Sequence, residues 1–256
     1  MAVQPRHRAE AAVTVRNASL VLAALLVAAV LAACAGGPAP PQWRLDARGA
    51  LRAFESAWLR GQALVATQEF ARARSALAST GDAQLVAHAE LSRCALQVAS
   101  LEFDDCPGFR PLAQDAGAGA RAYAAYLAGQ WQGLDVALLP PWHRAVVALQ
   151  GAAAEPLGKG STPSATAAAQ AQGAALAAID DPLSRLVAAG ALFRAGRIAP
   201  AGIAQAVDTA SAQGWRRPLV AWLGVQEKRA QAAGDVRAAE AIRRRIELSL
   251  EAVAKP

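Results

Sequence analysis

Apolar residues recur at helical spacing along most of this chain, and glycine or proline interrupts the pattern at short intervals. Ala66, Phe70, Ala73 and Leu77 lie at i, i+4, i+7 and i+11, so they share one face of a helix. Gly61 precedes this segment, and glycines at such breaks are typical of helix ends. No long run alternates apolar and polar residues as a half-buried strand does. The sequence therefore predicts an all-α fold.

The predicted helices are about 11 to 18 residues long and are joined by short turns, which favours antiparallel hairpins. Stacked hairpins form an α-solenoid. We assign residues 44–150 to an N-terminal helical half and residues 165–256 to a C-terminal helical half. The intervening residues 151–164 are rich in Gly, Pro and Ser and are predicted to form a flexible loop.

Two stretches resemble the tetratricopeptide repeat, a helical-hairpin unit. The first matches that family's turn glycine, its two packing alanines and the aromatic between them: Gly61, Ala66, Phe70 and Ala73. The second keeps the turn at Gly234 and Asp235 and the first alanine at Ala239, but Arg243 occupies the aromatic position. The resemblance implies a solenoid. An irregular helical bundle is the alternative, because no clean period of about 34 residues runs through the chain.

A basic N-terminal segment precedes an apolar run from Leu20 to Ala33, which ends at small residues. This is the layout of a secretory signal peptide. The run is shorter than the ~20 residues that a transmembrane helix needs. We therefore expect residues 1–33 to be a signal peptide and residues 34–43 to begin the mature chain with a Gly/Pro-rich tether.

The segment Leu31-Ala32-Ala33-Cys34 resembles the lipobox of bacterial lipoproteins. In that family the cysteine receives a diacylglyceryl group, becomes the first mature residue and is acylated at its new N-terminus. The resemblance implies that Cys34 carries fatty acyl chains such as palmitate, which anchor a chain to a membrane without spanning it. Ala35 rather than Asp follows Cys34. This favours the outer membrane, with the domain facing the periplasm.

Cys94 and Cys106 remain as a pair once Cys34 is assigned to the lipid. The envelope outside the cytoplasm is oxidising, so paired thiols there form disulfides. The chain from Leu101 onward is long enough to bring Cys106 back beside Cys94. We predict a structural disulfide, since a redox pair is more typically Cys-x-x-Cys at a helix start.

The histidines and glycine motifs offer little chemistry. His88 and Cys94 lack the i, i+4 spacing that places two metal ligands on one helical face, so no metal is expected. His143, in the first turn of a predicted helix, is expected at the surface or in a cleft. The segment around Lys159 lacks the full Walker pattern, and no cofactor is expected. Basic runs with interleaved aromatics are missing from the sequence, which excludes a nucleic-acid module.

Basic and aromatic residues near predicted helix ends mark a possible partner surface. Arginines in the last helix are interpreted first as a solvated face and, alternatively, as a docking surface. The candidate residues are Arg216, Arg217, Arg243, Arg244, Trp142 and Trp215. Trp58 and Trp222 are assigned to the core, whereas Trp131 could line a groove.

These patterns predict a non-enzymatic, lipid-anchored scaffold that binds another envelope protein through a helical-repeat surface. One alternative is a carrier of an apolar ligand such as a lipid, held between helices. The carrier predicts a closed apolar cavity, whereas the scaffold predicts an open groove. A further alternative is an envelope hydrolase that uses His143 with a carboxylate.

Overall fold

The computed structural model describes residues 39–148 and 163–251. Within these ranges the fold is all-α, as predicted, with ten α-helices, two 3₁₀ turns and no strand. None of these helices is both long and apolar enough to cross a membrane. The predicted signal peptide, Cys34, residues 35–38 of the tether and residues 151–162 of the predicted loop lie outside the described residues.

The helices from Gln42 onward form one compact unit of packed hairpins. In the first half the helices are α1 (Gln42–Leu59), α2 (Ala63–Ala78), α3 (Ala83–Ala99), α4 (Ala118–Leu127) and α5 (Pro141–Ala148). In the second half they are α6 (Pro163–Ala177), α7 (Pro182–Arg194), α8 (Pro200–Ala212), α9 (Arg216–Ala232) and α10 (Val236–Glu251). The 3₁₀ turns Arg110–Leu112 and Val136–Leu138 interrupt the hairpin series, so the stack is irregular. Helix α6 begins at Pro163, within the range expected to be a loop.

Glycines reverse the chain between consecutive helices. After α1, Gly61 adopts a φ of 77°, a left-handed conformation that costs glycine little because it has no Cβ. The N–H of Gly61 donates to the carbonyl of Trp58 at 2.9 Å, and the N–H of Gln62 donates to the carbonyl of Ala57 at 2.8 Å. These two bonds satisfy free carbonyls at the helix end and turn the chain back into α2.

Helices α3 and α7 lie at the centre of the molecule. Most of α3 is buried, and every residue of α7 from Leu186 to Leu192 is buried. Trp222 of α9 is fully buried and donates its indole N–H to the carbonyl of Ala99 at 3.0 Å. One hydrophobic cluster runs from α3 through α7 to α9, so the two predicted halves share a core.

The two central helices approach each other very closely at Gly190. A Cβ built on Gly190 would lie 2.1 Å from the carbonyl oxygen of Val98 and 2.7 Å from its carbon. Both are backbone atoms of α3, which a side-chain rotation cannot move away. The separation between α3 and α7 therefore depends on glycine at position 190.

Candidate functional site

A groove of ≈ 980 Å³, open to solvent, lies between α1, α3 and the first turns of α7. Tyr123 of α4 and residues 77–82 around the start of α3 complete its lining. Half-buried apolar side chains form its floor: Leu51, Leu85 and Leu183. Beneath them lie buried apolar side chains from four helices: Ala47, Phe54, Leu77, Leu96 and Val187. A recess with an apolar floor is the usual form of a binding site in proteins.

Three arginines of α1 line one wall of this groove. Arg44, Arg48 and Arg52, here called the arginine row, lie at i, i+4 and i+8, which places them on one helical face about 6 Å apart along the axis. All three side chains are exposed. Among the described residues, no carboxylate lies within 4.0 Å of any of them. Within the row, the Arg44 guanidinium lies over the ring of Trp43, 5.3 Å from the ring centroid.

The opposite end of the groove is acidic. Loss of water around the Glu55 carboxyl, followed by the negative charge of Asp181, raises the pKa of Glu55 above its ordinary value. Asp181 also accepts a hydrogen bond from the Ser184 backbone N–H at 2.7 Å, which caps α7. Along α1 the groove wall therefore carries three arginines followed by one carboxyl group, that of Glu55.

Behind this acidic end, an aromatic cluster surrounds His143. The residue is 1% exposed, and its Nδ1 lies 3.1 Å from the Tyr126 hydroxyl. The expectation that His143 lies at the surface or in a cleft is therefore wrong. His143, Val146 and Val147 lie at i, i+3 and i+4, so they share the face of α5 that packs into the core. Trp131, which could have lined a groove, is also buried and stacks on Tyr126 with centroids 5.5 Å apart.

Burial of His143 predicts a pH-dependent stability. Desolvation lowers its pKa from 6.5 to about 4, while the charge of Asp181 acts weakly in the other direction. The unfolded chain therefore takes up this proton first, and the stabilisation present above pH 6.5 is lost as the pH falls toward 4. Between pH 8 and pH 5 the protein should lose about 2 kcal/mol from this group.

The measurement is urea denaturation across this pH range, for the natural chain and for His143→Gln. Glutamine does not titrate and still offers a hydrogen bond to Tyr126, so this variant should lack the additional loss. Identical pH profiles for the two proteins would contradict a buried neutral His143.

Cys94 and Cys106 form a disulfide, in agreement with the sequence prediction, and their Cα atoms are 5.7 Å apart. Cys94 is in α3, and Cys106 follows the loop after Leu101, which has a φ of 57°. Asp104 accepts a hydrogen bond from the Cys106 N–H at 2.9 Å and lies close to both sulfurs. Because the sulfurs are bonded to each other, they are not thiolate ligands for a metal.

Arg216 and Arg217 make intramolecular contacts. The Arg217 guanidinium lies 4.1 Å from the centroid of the Trp58 ring and forms an ion pair of 2.7 Å with Glu102. Arg216 donates to the carbonyl of Arg60. The two arginines thus connect the start of α9 to the end of α1 instead of projecting freely toward a partner.

The other candidate surface residues lie in separate surroundings. Arg243 pairs with Glu227 of α9 at 3.0 Å, and Arg244 is exposed on α10. Trp142 is 51% exposed on α5, whereas Trp215 packs partly buried against the core near α1. Trp215 lies beside Arg216 and Arg217 near α1, whereas Arg243, Arg244 and Trp142 lie on other helices, and the partner surface stays a prediction.

The arginine row was missed by the sequence analysis, although its i, i+4, i+8 spacing on a predicted helix was visible. Nothing in the sequence indicated that α3 and α7 would form the other walls. A comparison of the chain with protein-family models, with curated proteins and with solved structures finds no match. The functional argument consequently depends on the groove itself.

Proposed function

We propose that this protein is a non-enzymatic scaffold that holds another envelope protein in the groove between α1, α3 and α7. The lipobox-like segment supports attachment to the bacterial outer membrane through a lipid on Cys34, with the helical domain facing the periplasm. The observation that carries the proposal is the open groove, with its apolar floor and its arginine row.

This shape favours the scaffold over a lipid carrier. A carrier needs an enclosed apolar cavity that shields its ligand from water, whereas this recess is open to solvent and has a wall that carries three arginines. Protein interfaces commonly combine an apolar centre with a polar rim, and arginine is enriched in them. The groove has this arrangement.

The test is affinity capture of the full chain from envelope fractions, followed by mass spectrometry. We expect a specific protein to be recovered with the natural chain and to fall at least tenfold with Arg44→Glu/Arg48→Glu/Arg52→Glu. The matched control Lys228→Glu/Arg237→Glu/Arg245→Glu reverses three exposed charges on α9 and α10, away from the groove, and should recover the partner normally.

Two outcomes would overturn the proposal. Undiminished capture by the groove variant would show that the groove is not the docking site. Recovery of bound lipid without any protein would favour the carrier. In the same fractions, the Cys34→Ser variant should no longer sediment with the membranes. If this variant still sediments with them, the lipid anchor is refuted.

A further inference from the structure

The arginine row gives the groove a periodic positive wall, and no carboxylate of the described residues lies within 4.0 Å of it. Like charges at i, i+4 repel one another by a few tenths of a kcal/mol, so the row is unfavourable for α1 on its own. Asp82, the other acidic residue of the lining, accepts hydrogen bonds from the backbone N–H groups of Gln84 and Leu85 as the cap of α3. A negatively charged occupant would relieve the repulsion along the whole row.

The walls of the groove determine the conformation of this occupant. They are mainly helices, and no sheet edge is present in this lining for an extended peptide to join. An extended occupant would leave its own backbone N–H and C=O groups without partners over the apolar floor. A helix satisfies those groups internally and offers an apolar face to the floor.

The spacing of charges also fits a helix. Side chains at i, i+4 and i+8 on an occupant repeat every 6 Å, the same interval as the arginine row. Glu55 lies three residues beyond Arg52 on α1, so the wall is positive over three positions and then negative. Half-buried apolar side chains such as Leu51 and Leu183 lie within the recess, where the flat surface of a bilayer could meet the arginines but not these side chains.

We propose that the groove binds an amphipathic helix of the partner protein that carries acidic residues at i, i+4 and i+8. Its apolar face lies on the groove floor, and a basic residue follows the third acid by three or four positions to face Glu55. This inference rests on the proposed function, since it names the chemistry of the segment that docks in the same groove.

The test uses two fluorescent peptides of equal length and the full chain purified in a non-ionic detergent. One peptide has an apolar leucine face, glutamates at i, i+4 and i+8 and a lysine at i+11; in the other, glutamates and lysine are exchanged. Each exposed ion pair changes affinity by a factor of about 1.5 to 5. Because four pairs are exchanged, we expect the acidic peptide to bind at least about fivefold more tightly at low salt, with the preference reduced in 0.5 M salt.

Protein variants assign this preference to the groove. Arg44→Glu/Arg48→Glu/Arg52→Glu should reverse it, whereas Lys228→Glu/Arg237→Glu/Arg245→Glu should keep it. The milder Arg48→Gln should weaken acidic-peptide binding two- to fivefold with an unchanged circular dichroism spectrum, so that misfolding of the triple variant could not account for the result.

The outcomes separate this inference from the proposed function. Equal binding of the two peptides, or a preference that survives in the groove variant, would overturn the acidic helix. Displacement of the acidic peptide by phosphatidylglycerol at a lower concentration than by unlabelled peptide would also overturn it, in favour of an anionic lipid. If the groove variant loses partner capture but the natural chain binds the two peptides equally, the acidic helix is refuted and the proposed function stands. If the groove variant still captures the partner but the natural chain prefers the acidic peptide, the proposed function is refuted and the acidic helix stands.

Discussion

Gly190→Ala should destabilise the protein by about 3 kcal/mol or more, the upper range for overpacking a core. The added methyl would lie 2.1 Å from the Val98 carbonyl oxygen, a distance that only a movement of α3 away from α7 can relieve. Such a movement would loosen the buried segment Leu186–Leu192 and the core around it. Urea denaturation followed by circular dichroism gives the change in the free energy of unfolding.

Gly224→Ala is the matched control, because Gly224 is also a helical glycine but a Cβ there would meet nothing within 4 Å. Alanine favours helix over glycine, so this variant should be more stable by about 0.5 to 1 kcal/mol. A similar change in both variants would show that the approach of α7 to α3 does not limit the fold.

Loss of the disulfide should cost about 3 kcal/mol. Cys94 and Cys106 are 12 residues apart, and linking them restricts the unfolded chain. Cys94→Ala/Cys106→Ala should therefore unfold at a lower urea concentration than the natural chain. The natural chain should shift to nearly the same midpoint when it is reduced.

Reduction of the double variant is the control, because its urea midpoint should not respond to the reductant. Thiol labelling must show that both cysteines of the natural chain are reduced in the comparison. An unchanged midpoint under that condition would mean that the bond does not stabilise the folded domain.

Local patterns in the sequence predicted much of the fold. Helices and their ends depend on neighbouring residues, so apolar spacing and glycines such as Gly61 located them. The disulfide was predictable for the same reason, since it closes a short loop. The face shared by His143, Val146 and Val147 is also visible in the sequence, and this spacing places His143 on the apolar side of its helix.

Contacts between distant segments were not predictable in this way. Arg217 approaches Glu102 across 115 residues and Trp58 across 159, and no local pattern indicates either contact. The groove also depends on contacts between distant segments, because its walls α1 and α7 come together only by packing against α3. The arginine row could be found from spacing, but its position beside an apolar recess could not.

The bond between Trp222 and the carbonyl of Ala99 spans 123 residues, which has a consequence for the folding pathway. Helix α3 lies early in the sequence, but it packs against α7 and α9 of the second half. Its central contacts therefore join residues that are far apart in the sequence. Forming such contacts first costs loop-closure entropy, and folding is slower because this cost precedes the stabilisation. We therefore expect the N-terminal helices to keep apolar surface exposed until the C-terminal helices pack against them, and the shared core to unfold in one cooperative transition.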